Sequence, residues 1–186
     1  RYFGRGLAAQ PDDFGRLAGR PTHADLLEHL AFAFVEDGRS LKALHRRIVR
    51  SATYRQAAGS EADAARFAAH PRRRLDAESL RDALLSVAGT LDLTRPEEHP
   101  FPKTSSWNYT QHRPFHAVYE SKHRSVFLMR QRIREHPFFE LFDGASTSES
   151  SPTRGTSTVP GQALWFMNGE LVHDAARSLA KRVLAR

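Results

Sequence analysis

The densest run of groups able to do acid–base chemistry in this 186-residue chain is Arg72-Arg73-Arg74-Leu75-Asp76-Ala77-Glu78-Ser79-Leu80-Arg81-Asp82. On a helix beginning at Asp76, Glu78 and Arg81 stand three apart and Glu78 and Asp82 four apart, so two carboxylates share a face with a guanidinium. Paired carboxylates divide acid and base roles when their surroundings push their pKa values apart. Asp76, Glu78, Asp82 and Asp143 are therefore the candidate catalytic groups, with Glu140 beside them, and Arg74, Arg81, Arg124 and Arg154 are candidate binders of anionic groups. The competing reading of the same residues is a capped helix with ion pairs. Convergence of Glu78, Arg81, Asp82, Asp143 and Arg154 on one cleft separates the two.

Other chemistries find less support. Ten histidines invite a metal search, but Pro114 interrupts the helix that His112 and His116 would need to share a face, and His23 and His29 are six apart. No metal site is read from the sequence. The serines between Ser146 and Ser157 lack a G-x-S-x-G elbow, and neither glycine-rich nucleotide loop is present. The aromatic stretch from Trp107 to Tyr119, punctuated by Arg113, either stacks on rings of a ligand or fills a satellite core. Zero cysteines rule out disulfides, thiolate metal sites and a C-x-x-C-H haem within this stretch.

The hydrophobic fraction is 40% and the charged fraction 26%, the balance of one globular domain with a real core, residues 1–186. A net charge of +7 would favour anionic partners. The arginines are spread from Arg1 to Arg186 in an alanine-rich chain, a pattern that argues against nucleic acid as the partner. No apolar run is long enough to span a bilayer. The opening Arg1-Tyr2-Phe3-Gly4 reads as the continuation of an element already begun, so the chain is expected to be the C-terminal fragment of a larger protein.

The elements that must position these groups read as mainly α: an irregular helical domain with long loops and at most one or two short strands. After a glycine-rich lead-in over 1–20, Thr22 with Asp25 suggests a capping box for a helix ending near Asp37-Gly38. Ser40 caps a second helix with Leu41, Leu44, His45, Ile48 and Val49 on one face and Lys42, Arg46, Arg47 and Arg50 on the other. A short alanine-rich segment is closed by Pro71. Asp76 caps the best-marked helix, stapled by Leu75 and Leu80, ended by Gly89, and burying Leu80, Leu84, Val87 and Ala88. Residues 91–123 form a long loop or insertion, and 124–130 a short strand or extended segment. Pro137 opens a helical turn, Ser146 to Thr158 is a loop, Pro160 starts a helix broken at Asn168-Gly169, and Leu171 to Leu184 is the last helix. Its Lys181 and Arg182 suit its dipole.

Several segments together resemble the planctomycete domain of unknown function numbered 1553: Phe3-Gly4-Arg5-Gly6-Leu7, Pro21-Thr22-His23, Ser40 to His45 through Ser51 to Gln56, Arg74 to Glu78 with Arg81-Asp82, Arg124-Ser125-Val126, Leu141-Phe142-Asp143, and Thr158-Val159-Pro160 with Gln162-Ala163-Leu164 and Asn168. Gln162 and Asn168 thereby join the candidate binding groups. The resemblance implies an exported or cell-envelope multidomain parent, a preceding domain of unknown function as partner in the same polypeptide, and a further cell-envelope protein as candidate partner. It also implies a cytochrome-c-like neighbour, so that a haem would sit in another domain and no cofactor in this one. It implies no reaction. Two functions follow as expectations: a helical interaction or structural module, or a hydrolase-like domain acting on a glycan or other envelope polymer through the carboxylate and arginine cluster.

Overall fold

Apolar stripes separated by glycine, serine and proline become seven α-helices among the described residues: α1 (Ala24–Glu36), α2 (Leu41–Arg50), α3 (Glu61–Ala65), α4 (Ala77–Ala88), α5 (Pro137–Leu141), α6 (Pro160–Asn168) and α7 (Glu170–Leu184). The computed structural model describes residues 2–8, 10, 12–13, 18–97, 119, 121–132, 134–151 and 153–185. The protein is mainly α, and no strand occurs among these residues. Extended pairing is confined there to two isolated bridges, Ala58 with His70 and Asp92 with His123. The segment expected to be extended at 124–130 instead folds into a 3-10 turn over Ser125–Phe127. The chain divides into two compact units, residues 1–74 and 75–186.

In the first unit α1 and α2 pack as a hairpin. The connection reverses through Gly38 and Arg39, at φ +66° and +60°, and an ion pair of 2.9 Å joins Arg47 to Asp37. Ser40 accepts from the Ala43 N–H at 3.2 Å, the expected cap of α2. The capping box read at Thr22 does not form: the N-cap falls one residue later, at His23, and the Thr22 hydroxyl donates to the Leu7 carbonyl at 3.3 Å. The hydroxyl thus ties the lead-in to the helix start instead of closing the helix end. Tyr2, Phe3, Tyr54, Phe67 and His70 meet edge to face or tilted with centroids 5.1–6.0 Å apart, so this unit is held by half-buried rings.

The second unit has a closed core. Ala77, Phe138, Phe139 and Phe142 are buried together, and Leu80, Leu128, Leu141 and Trp165 pack on them. Phe138 stands 4.8 Å from Phe142 and 5.0 Å from Trp165, ring centre to ring centre. Pro137 at the first position of α5 and the His136 ring, which accepts from the Phe138 N–H, start this short helix where the sequence placed it. α4 lies against α7, α5 and the 3-10 turn, and α6 against α7. The staple between Leu75 and Leu80 is one-sided, since Leu75 is 54% exposed while Leu80 joins the core.

Gly89 ends α4 at φ +73°, a left-handed conformation that suits glycine. Arg182 of α7 donates to the Val87 carbonyl at 2.7 Å and so closes the end of α4 as well as serving its own helix. A Cβ on Gly89 would lie 2.9 Å from Arg182 Nη1. Gly89→Ala should therefore lower stability by about 1–2 kcal/mol in urea denaturation. Gly155→Ala, where a Cβ meets open space, should move it by less than about 0.5 kcal/mol.

Candidate functional site

α4 is the element that carries the predicted chemistry; Leu80 and Ala88 face inward as expected, and the rest of its facing differs. Ala77, Arg81, Leu85 and Ala88 are the buried stripe, whereas Val87 is 49% exposed. The helix turns a charged residue inward because the guanidinium finds acceptors there. Arg81 is 7% exposed and donates to the carbonyls of His123 (2.9 Å) and Ser121 and to Ser125 Oγ (3.3 Å). A buried charge is tolerated only when it is hydrogen-bonded in this way. Asp82 completes the grip: its Oδ1 accepts from both the N–H and the hydroxyl of Ser125 at 2.7 Å, and its Oδ2 lies 3.7 Å from Arg124 Nε. Arg81 and Asp82 are themselves 3.9 Å apart.

Glu78, one turn earlier, receives a two-pronged guanidinium from Arg154, with Nη2 at 3.1 Å from Oε1 and Nη1 on Oε2. These bonds hold Arg154 still more firmly in its charged form. Arg130 stands 3.6 Å from the same carboxylate, lies over the Phe139 ring at 4.5 Å and donates to the Ala145 carbonyl. Glu78 therefore joins two loop arginines to the helix.

Asp143 follows α5 in the left-handed region at φ +56°. Its carboxylate accepts from the Ser157 N–H (2.7 Å) and hydroxyl (2.8 Å). Gln162, 4% exposed, donates to the Leu141 carbonyl at 2.8 Å and accepts from the Val159 N–H at 3.4 Å. The turn after α5, the serine-rich loop and the start of α6 are thereby fastened to one another.

The sequence-predicted residues thus fall into three groups: Arg81 with Asp82 and Arg124, Glu78 with Arg154, and Asp143 with Gln162 through Ser157. Asp76 accepts from the Ser79 N–H at 2.9 Å as the cap of α4. Asn168 donates to the Leu164 carbonyl of its own helix at 3.0 Å. Glu140 is exposed on α5, and Arg74 is exposed in the first unit. Ser121, Ser125, Arg130 and Ser157 complete these groups and were not singled out as site residues by the sequence. Ser125 stands 43 positions from Asp82 and Arg130 beyond it, a separation that no local spacing reveals. His112, His116 and the aromatic stretch before Tyr119 lie outside the described residues. No group of three or more His, Asp or Glu among the described residues is arranged to hold a metal.

The second unit also contains a cleft of about 860 Å³ between α4 and α7. Of the predicted site residues, Arg81 is the one found in its described lining, together with Tyr119, Lys122, Trp165 and Lys181. Beside it, Asp92 accepts from the N–H and hydroxyl of Thr94 at 2.8 and 2.7 Å. His123 Nδ1 lies 3.4 Å from Asp92 Oδ2, a charge contact when the ring is protonated rather than a hydrogen bond.

Fold and site together define a helical protein whose irregular segments are fastened by side chains to its helices, among them α4 with its buried arginine. The chain matches the family model PSD1, protein of unknown function (DUF1553), over residues 1–186, and it belongs to that family. No curated protein and no solved structure matches it. No helix among the described residues is long and apolar enough to cross a membrane.

Two outcomes follow from this geometry. Arg81→Lys keeps the charge but lacks the fork that reaches Ser121, His123 and Ser125 together, so urea denaturation should show a loss of about 2 kcal/mol or more. The Thr94 hydrogen bonds, and secondarily the attraction of His123, hold the Asp92 carboxyl below its ordinary value of 3.8. The unfolded chain therefore binds this proton more tightly, and the stabilisation is present above pH 3.8 and lost as pH falls through the lower folded value. Asp92→Asn should destabilise the protein at pH 7 by denaturant titration, and the difference from the parent chain should shrink progressively as the pH is taken below 3.8.

Proposed function

We propose that this chain is a helical interaction and structural module of an exported or cell-envelope multidomain protein of planctomycete type, and that it docks on the domain preceding it. The single observation that supports this reading most is the use to which the candidate carboxylates are put. Asp82 and Asp143 accept from backbone and hydroxyl groups of Ser125 and Ser157, and Glu78 holds Arg154, so each carboxylate serves the fold of its own unit. A hydrolase needs a carboxylate presented to a substrate oxygen or an attacking water. The surface of α1 points the same way. Of its thirteen residues Ala33 is the buried one, while Phe32 is 65% and Val35 56% exposed, with Leu26 and Leu27 also outward. A helix this apolar on its outer side is suited to burial against another surface. A cytochrome-c-like domain in the same polypeptide would place the module beside a redox partner.

The test uses the preceding domain as a separate polypeptide, titrated calorimetrically with the chain. Phe32→Glu combined with Val35→Glu should leave stability within about 0.5 kcal/mol, because both side chains are exposed, and should weaken association at least tenfold. Glu78→Gln and Asp143→Asn should each cost about 1 kcal/mol of stability and leave association within twofold. The reading fails, in favour of the hydrolase, if the carboxylate variants keep their stability and lose turnover of an envelope polymer.

A further inference from the structure

The cleft between α4 and α7 has a volume of about 860 Å³, within the roughly 300–1,000 Å³ of sites that enclose small organic molecules. Its lining divides by chemistry. Leu85, Leu128, Phe138 and Trp165 supply an apolar part. The Trp165 ring is held in place by Phe138 at 5.0 Å and Phe142 at 5.3 Å, so it offers a preset surface instead of a mobile one. Lys122 and Lys181 supply cations at exposed positions of the lining.

The balance of charge is the second observation. Arg81 reaches the lining from inside, held by Ser121 O, His123 O and Ser125 Oγ with Asp82 3.9 Å away, so it shapes the wall while the exposed lysines carry the charge offered to a ligand. Of the lining carboxylates, Asp174 is matched by Arg177 at 2.6 Å, which sets Glu170 against Lys122 and Lys181. A concave site with low-dielectric walls concentrates such a field and draws in anions.

We propose that this cleft is a binding site for an amphipathic organic anion: a small molecule whose ring or branched apolar body lies against Trp165 and Phe138 and whose carboxylate, phosphate or sulfonate is held by Lys122 and Lys181. The site is separate from the docking surface of α1 and stands without it. Its polar wall is built by the Arg81 contacts, so the fastening of residues 121–125 to α4 is also what shapes the site.

The test compares two probes of nearly the same shape on the full 186-residue chain: 1-anilinonaphthalene-8-sulfonate and its uncharged counterpart N-phenyl-1-naphthylamine. In a Trp107→Phe background, Trp165 is the remaining tryptophan and reports contact directly. The sulfonate should bind saturably at one site per chain and quench Trp165. Lys122→Glu with Lys181→Glu should weaken the sulfonate at least tenfold and change the neutral probe by less than twofold. Lys122→Gln with Lys181→Gln, a gentler pair that decides the matter should the reversed pair lose its helical circular dichroism, should weaken the sulfonate at least threefold. The proposal is overturned if the sulfonate binds without saturation or without quenching Trp165, if its emission grows in mild urea as it does with a loosened chain, or if the substitutions affect both probes alike or neither.

Discussion

The buried guanidinium of Arg81 is the interaction on which the second unit depends. Turned inward on α4, it needs acceptors, and the chain supplies them from residues 121–125, some forty positions away. That demand sets the rotation of α4 about its axis. The same rotation puts Ala77 against the phenylalanine cluster, sends Val87 outward and directs Asp82 to Ser125. Removing the charge without removing its acceptors would leave carbonyls without their donor in a dry place, which costs more than the hydrogen bonds contribute when made.

This arrangement answers a general problem of a fold without strands among its described residues. Backbone N–H and C=O groups in extended segments require partners, and here no ladder of neighbouring strands provides them. Side chains take over the task. Asp82 receives the Ser125 N–H, Asp143 the Ser157 N–H, Gln162 donates to the Leu141 carbonyl and Glu135 accepts from the Thr147 N–H at 3.1 Å. These acidic and amide side chains join the loops to their neighbours through the bonds that a strand ladder would otherwise supply. Phe139, buried under the Arg130 guanidinium, links this polar framework to the apolar core.

The two units differ in how they meet the hydrophobic effect. The second buries Phe138, Phe139 and Phe142 outright, while the first keeps its rings half-buried and carries Phe32 and Val35 outward on α1. Apolar area left in water is a source of association free energy, at about 25 cal/mol per Å² when it is covered. The first unit thus keeps an apolar outer face on α1, and the second a cleft lined by Lys122 and Lys181.

Local features were legible from the chain alone because their causes are local. Ser40 and Asp76 cap the helices they precede, Gly89 ends α4 in the left-handed region, and Pro137 and Pro160 open α5 and α6, each through contacts within a few residues. The helical class and the family both follow from such signals spread along the chain. The inward face of α4 was legible in part, since Ala88 is buried and Leu80 joins the core as expected, whereas the outward Val87 and the inward Arg81 were not, because the acceptors of the guanidinium come from a distant segment. The short strand or extended segment expected at 124–130 holds a 3-10 turn at Ser125–Phe127 for the same reason, since Arg81 and Asp82 both bond Ser125. Residue types and spacing determined the helices, their ends and the inventory of polar groups. Which of those groups meet was decided by tertiary structure, because a buried charge is satisfied by whatever acceptors the whole fold can bring to it.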